Sequence, residues 1–236
     1  MNIFNDSTQK IESFYEDHQY QLGWRFLNCS KEVLVSDPKV AFITLNPGGR
    51  EIPEDQPWAS CEGGSSYLNE IWGTSSRGQN KLQIQIQKMF AKLVEHSGYS
   101  GTTEELIEET LSGYFVPFRS GRLAELPEKK EAFAFGAQLW SEILKTIRPS
   151  LFICIDRDTF KRIKPIISNC YGLAETHSEP VRTGWGDYTG DIVEFGSGSE
   201  NIKLLRLPHL STFKLFSSEK CTVDIDNIFS RFCSRG

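Results

Sequence analysis

Two short runs, 40–45 (VAFITL) and 151–155 (LFICI), are apolar at nearly every position and are flanked by stretches of helical periodicity. A strand with one wet face alternates in polarity. A run that does not alternate is buried on both faces, and a sheet buried on both faces needs helices above and below it. Helical patterns occupy 5–27 (Ile11, Phe14, Tyr15, Leu22, Phe26), 80–96 (Leu82, Ile86, Met89, Phe90, Leu93), 103–111, 129–147, 158–167 and 224–232. Further strand signals lie at 112–118, 191–195 and 202–207, the last two joined by a GSGS turn at 196–199. Strands alternating with helices predict an α/β fold, a three-layer α/β/α sandwich with a central, largely parallel sheet. Thr102 and Glu105 have the spacing of a capping box. Residues 50–79 are rich in Gly, Ser and Pro and lack periodicity, which predicts a long loop of the kind that is functional or mobile.

The length of 236 residues suits one domain, 1–236, with a large core. The net charge of −5 is the wrong sign for binding nucleic acid through bulk electrostatics, although 26 Lys and Arg leave room for a local basic face. The six cysteines, Cys29, Cys61, Cys154, Cys170, Cys221 and Cys233, form no CxxC pair and no zinc-finger spacing with histidine. They read as reduced thiols of a cytoplasmic protein. The polar, acidic N-terminal segment is not a signal peptide, and no apolar stretch approaches the ~20 residues of a membrane span. There is no GxSxG, no Walker P-loop and no GxGxxG after a strand, and no His/Cys/Asp cluster at metal-ligand spacing.

In parallel sheets, ligands bind at the carboxyl ends of the strands. Three strand ends carry unusual chemistry. LNPGG puts the amide of Asn46 before Pro47, Gly48 and Gly49, where bare backbone can approach a ligand. FVPFRS puts Arg119, with Arg122 beyond it, beside Phe118, a pairing suited to a phosphate and a base. LPHLSTF puts His209 before Leu210, Ser211 and Thr212. A histidine there can stabilise an anion, and the hydroxyls can hold a phosphate. Each segment alone is equally a corner, a solvated loop or a helix cap.

Together, in this order, they resemble the uracil-DNA glycosylase superfamily. VAFITLNPGG is similar to its first motif, and LPHLSTF to its second, a His-Pro-Ser-type loop with a leucine wedge. GYFVPFRS and RPSLFICIDRDTF fall between them, so the resemblance covers roughly residues 38 to 216. Thr44 stands where the family has glycine, Pro208 precedes rather than follows the histidine, and Tyr114 lies near the point of a base-reading asparagine.

The resemblance implies a monofunctional glycosylase that flips a uracil-like or modified base out of DNA and leaves an abasic site. Asn46 would hold the attacking water, and His209 or the turn's N–H groups would stabilise the departing base. Thr44, Tyr114, Phe118 and Trp58 would face the base, with Phe118 the first choice for stacking and Trp58 the second. Gly48, Gly49, Arg119, Ser211, Thr212 and Lys214 would hold DNA, and Leu210 would fill the vacated stack. A basic face of Arg50, Arg119, Arg122 and Lys214 would offset the acidic total. The implied partner is DNA, with no cofactor, no metal, no iron–sulfur cluster and no membrane, and the chain is expected to act as a monomer. The rival reading is a DNA- or nucleotide-binding protein on the same fold that does not cleave.

Overall fold

The computed structural model describes residues 2–52, 56, 58–198 and 200–234. Residues 53–55 and 57 of the expected long loop, and Ser199 of the expected turn, lie outside the described residues. Helices α1 (Ile3–Asp17), α2 (Ser66–Asn69), α3 (Lys81–Ser97), α4 (Thr103–Glu109), α5 (Lys129–Thr146), α6 (Arg157–Tyr171) and α7 (Thr222–Cys233) surround six strands. The strands are β1 (Val40–Thr44), β2 (Leu111–Tyr114), β3 (Leu151–Cys154), β4 (Ala174–Trp185), β5 (Tyr188–Ser197) and β6 (Glu200–Arg206).

They form one sheet in the order β2-β1-β3-β6-β5-β4. The first four are mutually parallel, and β5 and β4 add an antiparallel edge. Successive side chains of the central strands enter two separate cores. Ala41, Ile43, Phe152 and Leu204 meet α1, α5 and α6 on one face, while Phe42, Ile153 and Leu205 meet α3, α4 and α7 on the other. That double burial is why these strands show no polar alternation. The architecture is the expected three-layer sandwich.

The register brings the strand ends to one edge. Thr44 lies opposite Tyr114, Ile43 opposite Cys154, and Cys154 opposite Arg206. The capping box at Thr102 and Glu105 is present, and β5 and β6 form the expected hairpin.

Three expectations are corrected. The first helix stops at Asp17, because Gln19 takes a left-handed φ of 51° and the chain turns away. After a turn, residues 24–27 instead run beside β2 and its continuation, with Trp24 bridged to Phe118 and Leu27 to Gly113. The long loop contains one helical turn, α2. The twelve-residue β4 was not expected. It is an edge strand, mostly exposed, so its sequence AETHSEPVRTGW carries almost no apolar signal.

Candidate active site

A cleft of about 860 Å³ opens at the carboxyl edge of the parallel strands. It brings together Thr44, Asn46, Gly48, Gly49, Tyr114, Arg119, His209 and Ser211 from the three strand ends, along with Arg25, Gln56, Tyr67 and Trp72.

Beyond β1 the chain stays beside the continuation of β2, with Phe115 N–H donating to Thr44 O at 2.7 Å and Ser120 N–H to Pro47 O at 3.1 Å. Asn46 is held between these two segments. Its Nδ2 donates to Pro47 O at 3.0 Å, to Ser120 Oγ at 2.9 Å and to Phe118 O at 3.4 Å. Carbonyls can only accept, so the amide nitrogen must face them. Among the described residues Oδ1 accepts no hydrogen bond, so it is available to a ligand or water in the cleft.

His209 stands at the rim. The Ser211 N–H approaches its Nδ1 at 3.3 Å, and the Ser211 hydroxyl lies 2.7 Å from the same atom. A backbone N–H can only donate, so Nδ1 is the acceptor and the ring proton sits on Nε2. The surrounding protein lowers the pKa of His209, with Asp156 opposing the shift. The ring is therefore neutral at pH 7 and presents an N–H donor. Asp156 follows β3 and caps α6, its Oδ1 accepting from Thr159 N–H at 2.7 Å. Burial raises the pKa of its carboxyl, and its other oxygen has no partner among the described residues.

Arg119 and Phe118 are consecutive on extended chain, so they point to opposite sides. Phe118 is fully buried, stacked on Tyr20 at 4.6 Å and Phe14 at 5.1 Å. It is a core residue, and the expectation that it stacks on a base is corrected. Arg119 lies in the cleft, 8% exposed, with Nη1 donating to Gly48 O. Burial lowers its pKa. Trp58 packs edge-on against Trp24 at 5.7 Å and Tyr15 at 6.2 Å, on the α1 side of the sheet rather than in the cleft.

Leu210 is 1% exposed and belongs to the second core. The turn that closes with Thr212 and Phe213 N–H donating to His209 O draws it inward, so the expected wedge is instead a core residue. Thr212 and Lys214 are exposed and lie outside the cleft lining. Arg50 is paired with Glu125, its Nε 3.2 Å from Oε2, so its charge is matched locally; Arg122 is exposed.

Sequence reading missed a buried ion pair at the cleft's inner wall. Arg25, 2% exposed, donates to both oxygens of Glu70, the Nη1 bond measuring 2.9 Å, and to Cys61 Sγ at 2.8 Å. Burial opposes both charges. Burial is the largest single influence on each, but the mutual hydrogen bond and charge attraction, with Trp72 and Cys61 also bonding Glu70, together outweigh it, raising the pKa of Arg25 and lowering that of Glu70. Glu70 also accepts from Trp72 Nε1 at 2.9 Å, which fixes the indole at the cleft wall. The overlooked signal was the glutamines of α3. Gln83 and Gln87 donate to the carbonyls of Ser66, Glu70, Tyr67 and Gly78 at 2.7–3.0 Å, lashing the 66–78 loop to the helix. Gln85 holds Ser217 and Phe216 at 2.6 and 3.1 Å, bracing the segment that follows His209.

All six cysteines are free thiols. Packing of α3 on α7 brings Glu95, His96 and Asp226 within 4.8 Å, a grouping that sequence spacing did not reveal. Lys92 already pairs with Glu95 at 2.8 Å and Asp226 at 2.6 Å, so the cluster is a surface ion-pair network. Among the described residues, no helix is long and apolar enough to cross a membrane. A scan of known protein families finds no matching family, and a search of curated proteins finds no matching relative.

Proposed function

We propose that this chain is a DNA glycosylase similar to the uracil-DNA glycosylase superfamily, hydrolysing the N-glycosidic bond of a flipped uracil-like or modified nucleotide. The observation that carries the reading is the pairing of two complementary groups in one cleft: an unpartnered amide oxygen on Asn46 and a free Nε2–H on neutral His209.

Asn46 Oδ1 accepts a hydrogen bond from a water and aims its oxygen at C1′. An amide is too weak a base to remove the proton, so Asn46 is a positioning group for the nucleophile. As the C1′–N bond breaks, its electron pair stays on the base nitrogen and the sugar gains oxocarbenium character. The water oxygen bonds to C1′, and its proton is released to solvent while the base takes one up. His209 donates from Nε2 to the developing anion while itself remaining neutral. With Phe118 and Trp58 outside the cleft, the stacking role passes to Trp72 and Tyr114, which line it.

The test is a cleavage screen on single strands and duplexes, each carrying one altered base: uracil, hydroxymethyluracil, hypoxanthine or hydroxymethylcytosine. Alkali reveals abasic sites, and Asn46→Ala is the control. Cleavage that disappears in the variant supports the reading; no abasic site on any substrate overturns it. The second reading, a non-cleaving DNA- or nucleotide-binding protein, is favoured by the burial of Leu210, which leaves no wedge beside His209. Binding without cleavage identifies it.

A further inference from the structure

Two arginines, Arg25 and Arg119, line the inner wall of the cleft, and among the described residues one of them has no counterion. Arg25 is neutralised by Glu70. Arg119 makes no ion pair among the described residues, its Nε has no partner, and its one protein bond is to the neutral carbonyl of Gly48. Thr44 Oγ1 and Arg25 Nε are likewise buried without partners in the same cleft. The φ of +106° at Gly49 keeps the backbone against the guanidinium, and a Cβ there would stand 3.4 Å from Nη1. A buried cation held by a carbonyl alone is costly, and buried charges are paired in stable proteins. Arg119 is also too deep, at 8% exposure, to meet the outer backbone of a duplex.

We infer that Arg119 forms an oxyanion subsite for a carboxylate or phosphate carried by the nucleotide that enters the cleft. The inference rests on the nucleotide reading of the site but not on hydrolysis. Planar guanidinium and planar or tetrahedral oxyanion match in geometry, and Thr44 and Arg25 Nε supply further donors beside them. The specificity is for charge rather than for ring identity. A neutral nucleoside leaves the cation unpaired, whereas an anionic one completes it.

The test is calorimetric titration of the full chain with uridine, 5-carboxyuridine and uridine 5′-monophosphate, repeated with Arg119→Gln and Arg119→Lys. The expected result is binding of at least one anion about 10-fold tighter than uridine, as suits a charge-assisted hydrogen bond. Arg119→Gln should erase that margin, bringing the anions to the affinity that the same variant shows for uridine, and Arg119→Lys should keep part of it. A preference for 5-carboxyuridine assigns the anion to the base, and a preference for the monophosphate assigns it to the sugar phosphate. Equal affinity for all three, or an anion preference that survives in Arg119→Gln, overturns the inference. If Arg119→Gln does not fold, the wild-type panel and the Lys variant still decide. Abasic-site formation is scored separately, so a failed glycosylase reading with intact anion selectivity stays distinguishable.

Discussion

The Ser211 N–H donates to Nδ1 of His209, and this one bond sets which ring nitrogen carries the proton. The free form has the proton on Nε2, where it can serve a developing anion. Protonation would cost the Ser211 bond, and the surrounding protein already lowers the pKa below its ordinary 6.5. Activity should therefore be level at neutral pH and fall on the acid side, with an apparent pKa under 6.5. The sign for stability follows. Below 6.5 the unfolded chain takes up a proton more readily than the native one, so this group destabilises the fold as pH falls through that window. His209→Ala should lower kcat by about 10²–10³-fold, the usual loss for one such donor. A pH–rate profile checks both points, and an acid limb unchanged in the variant would sink the assignment.

Asn46 is constrained on its nitrogen side, and that predicts an asymmetry between substitutions. Asn46→Ala removes a donor from two carbonyls and a hydroxyl, at about 1–3 kcal/mol of stability. Asn46→Asp keeps the shape but turns a carboxylate oxygen toward Pro47 O and Phe118 O, acceptor against acceptor. The Asp variant should be at least as destabilised as the Ala variant at pH 7, and should recover as acid protonates the carboxyl. Urea unfolding at pH 7 and pH 4 measures it. A fully stable Asn46→Asp would mean that the amide is oriented the other way.

The sheet was legible because its strands are buried on both faces and their helices are long and amphipathic. Edge strand β4 was not, since Glu175, His177, Glu179 and Arg182 serve a solvated surface and a single partner strand. The cleft was half legible. Asn46, Arg119 and His209 lie at strand ends, where a parallel sheet collects ligands, and their segments are short enough to read. Phe118 and Leu210 share those segments, but a turn or one step along an extended chain reverses a side chain, which local sequence does not disclose. Arg25 and Glu70 were illegible for another reason. They are 45 residues apart, and nothing in either segment signals the other. Asp156, too, is read by the local sequence only as a helix cap.

Arg25 and Glu70 should depend on each other strongly. Glu70→Ala leaves a guanidinium of 2% exposure without a counterion, a loss of about 3–5 kcal/mol. Replacing both, as in Arg25→Met with Glu70→Leu, should restore much of it, because the desolvation cost disappears with the charges. The native pair also carries a pH signature. The pKa of Glu70 is lowered in the fold, so its contribution is present above the ordinary value of 4.5 and is lost as pH falls through the lower folded value. Denaturant titrations of the single and double variants would show it, and additive losses in the double variant would contradict the coupling.

Gln83 and Gln87 test whether the wall of the cleft is rigid by design. Each donates twice to loop carbonyls from a helix whose core residues Ile86, Met89 and Phe90 share a cluster with Tyr67 of that loop. Gln83→Ala and Gln87→Ala together remove four bonds to loop carbonyls and the Asn80 N–H bond to Gln83 Oε1, and the carbonyls of Ser66, Tyr67 and Gly78 belong to buried residues that water reaches poorly. The expected outcome is a stability loss of about 1–3 kcal/mol for each buried carbonyl left unsatisfied, with a large rise in hydrogen exchange and protease cleavage between residues 66 and 78. Because Glu70 and Trp72 ride on that segment, ligand affinity should fall while the catalytic step, set by Asn46 and His209, is spared. A loss confined to kcat, with the loop still protected, would show that the glutamines act through α3 on the His209 segment instead.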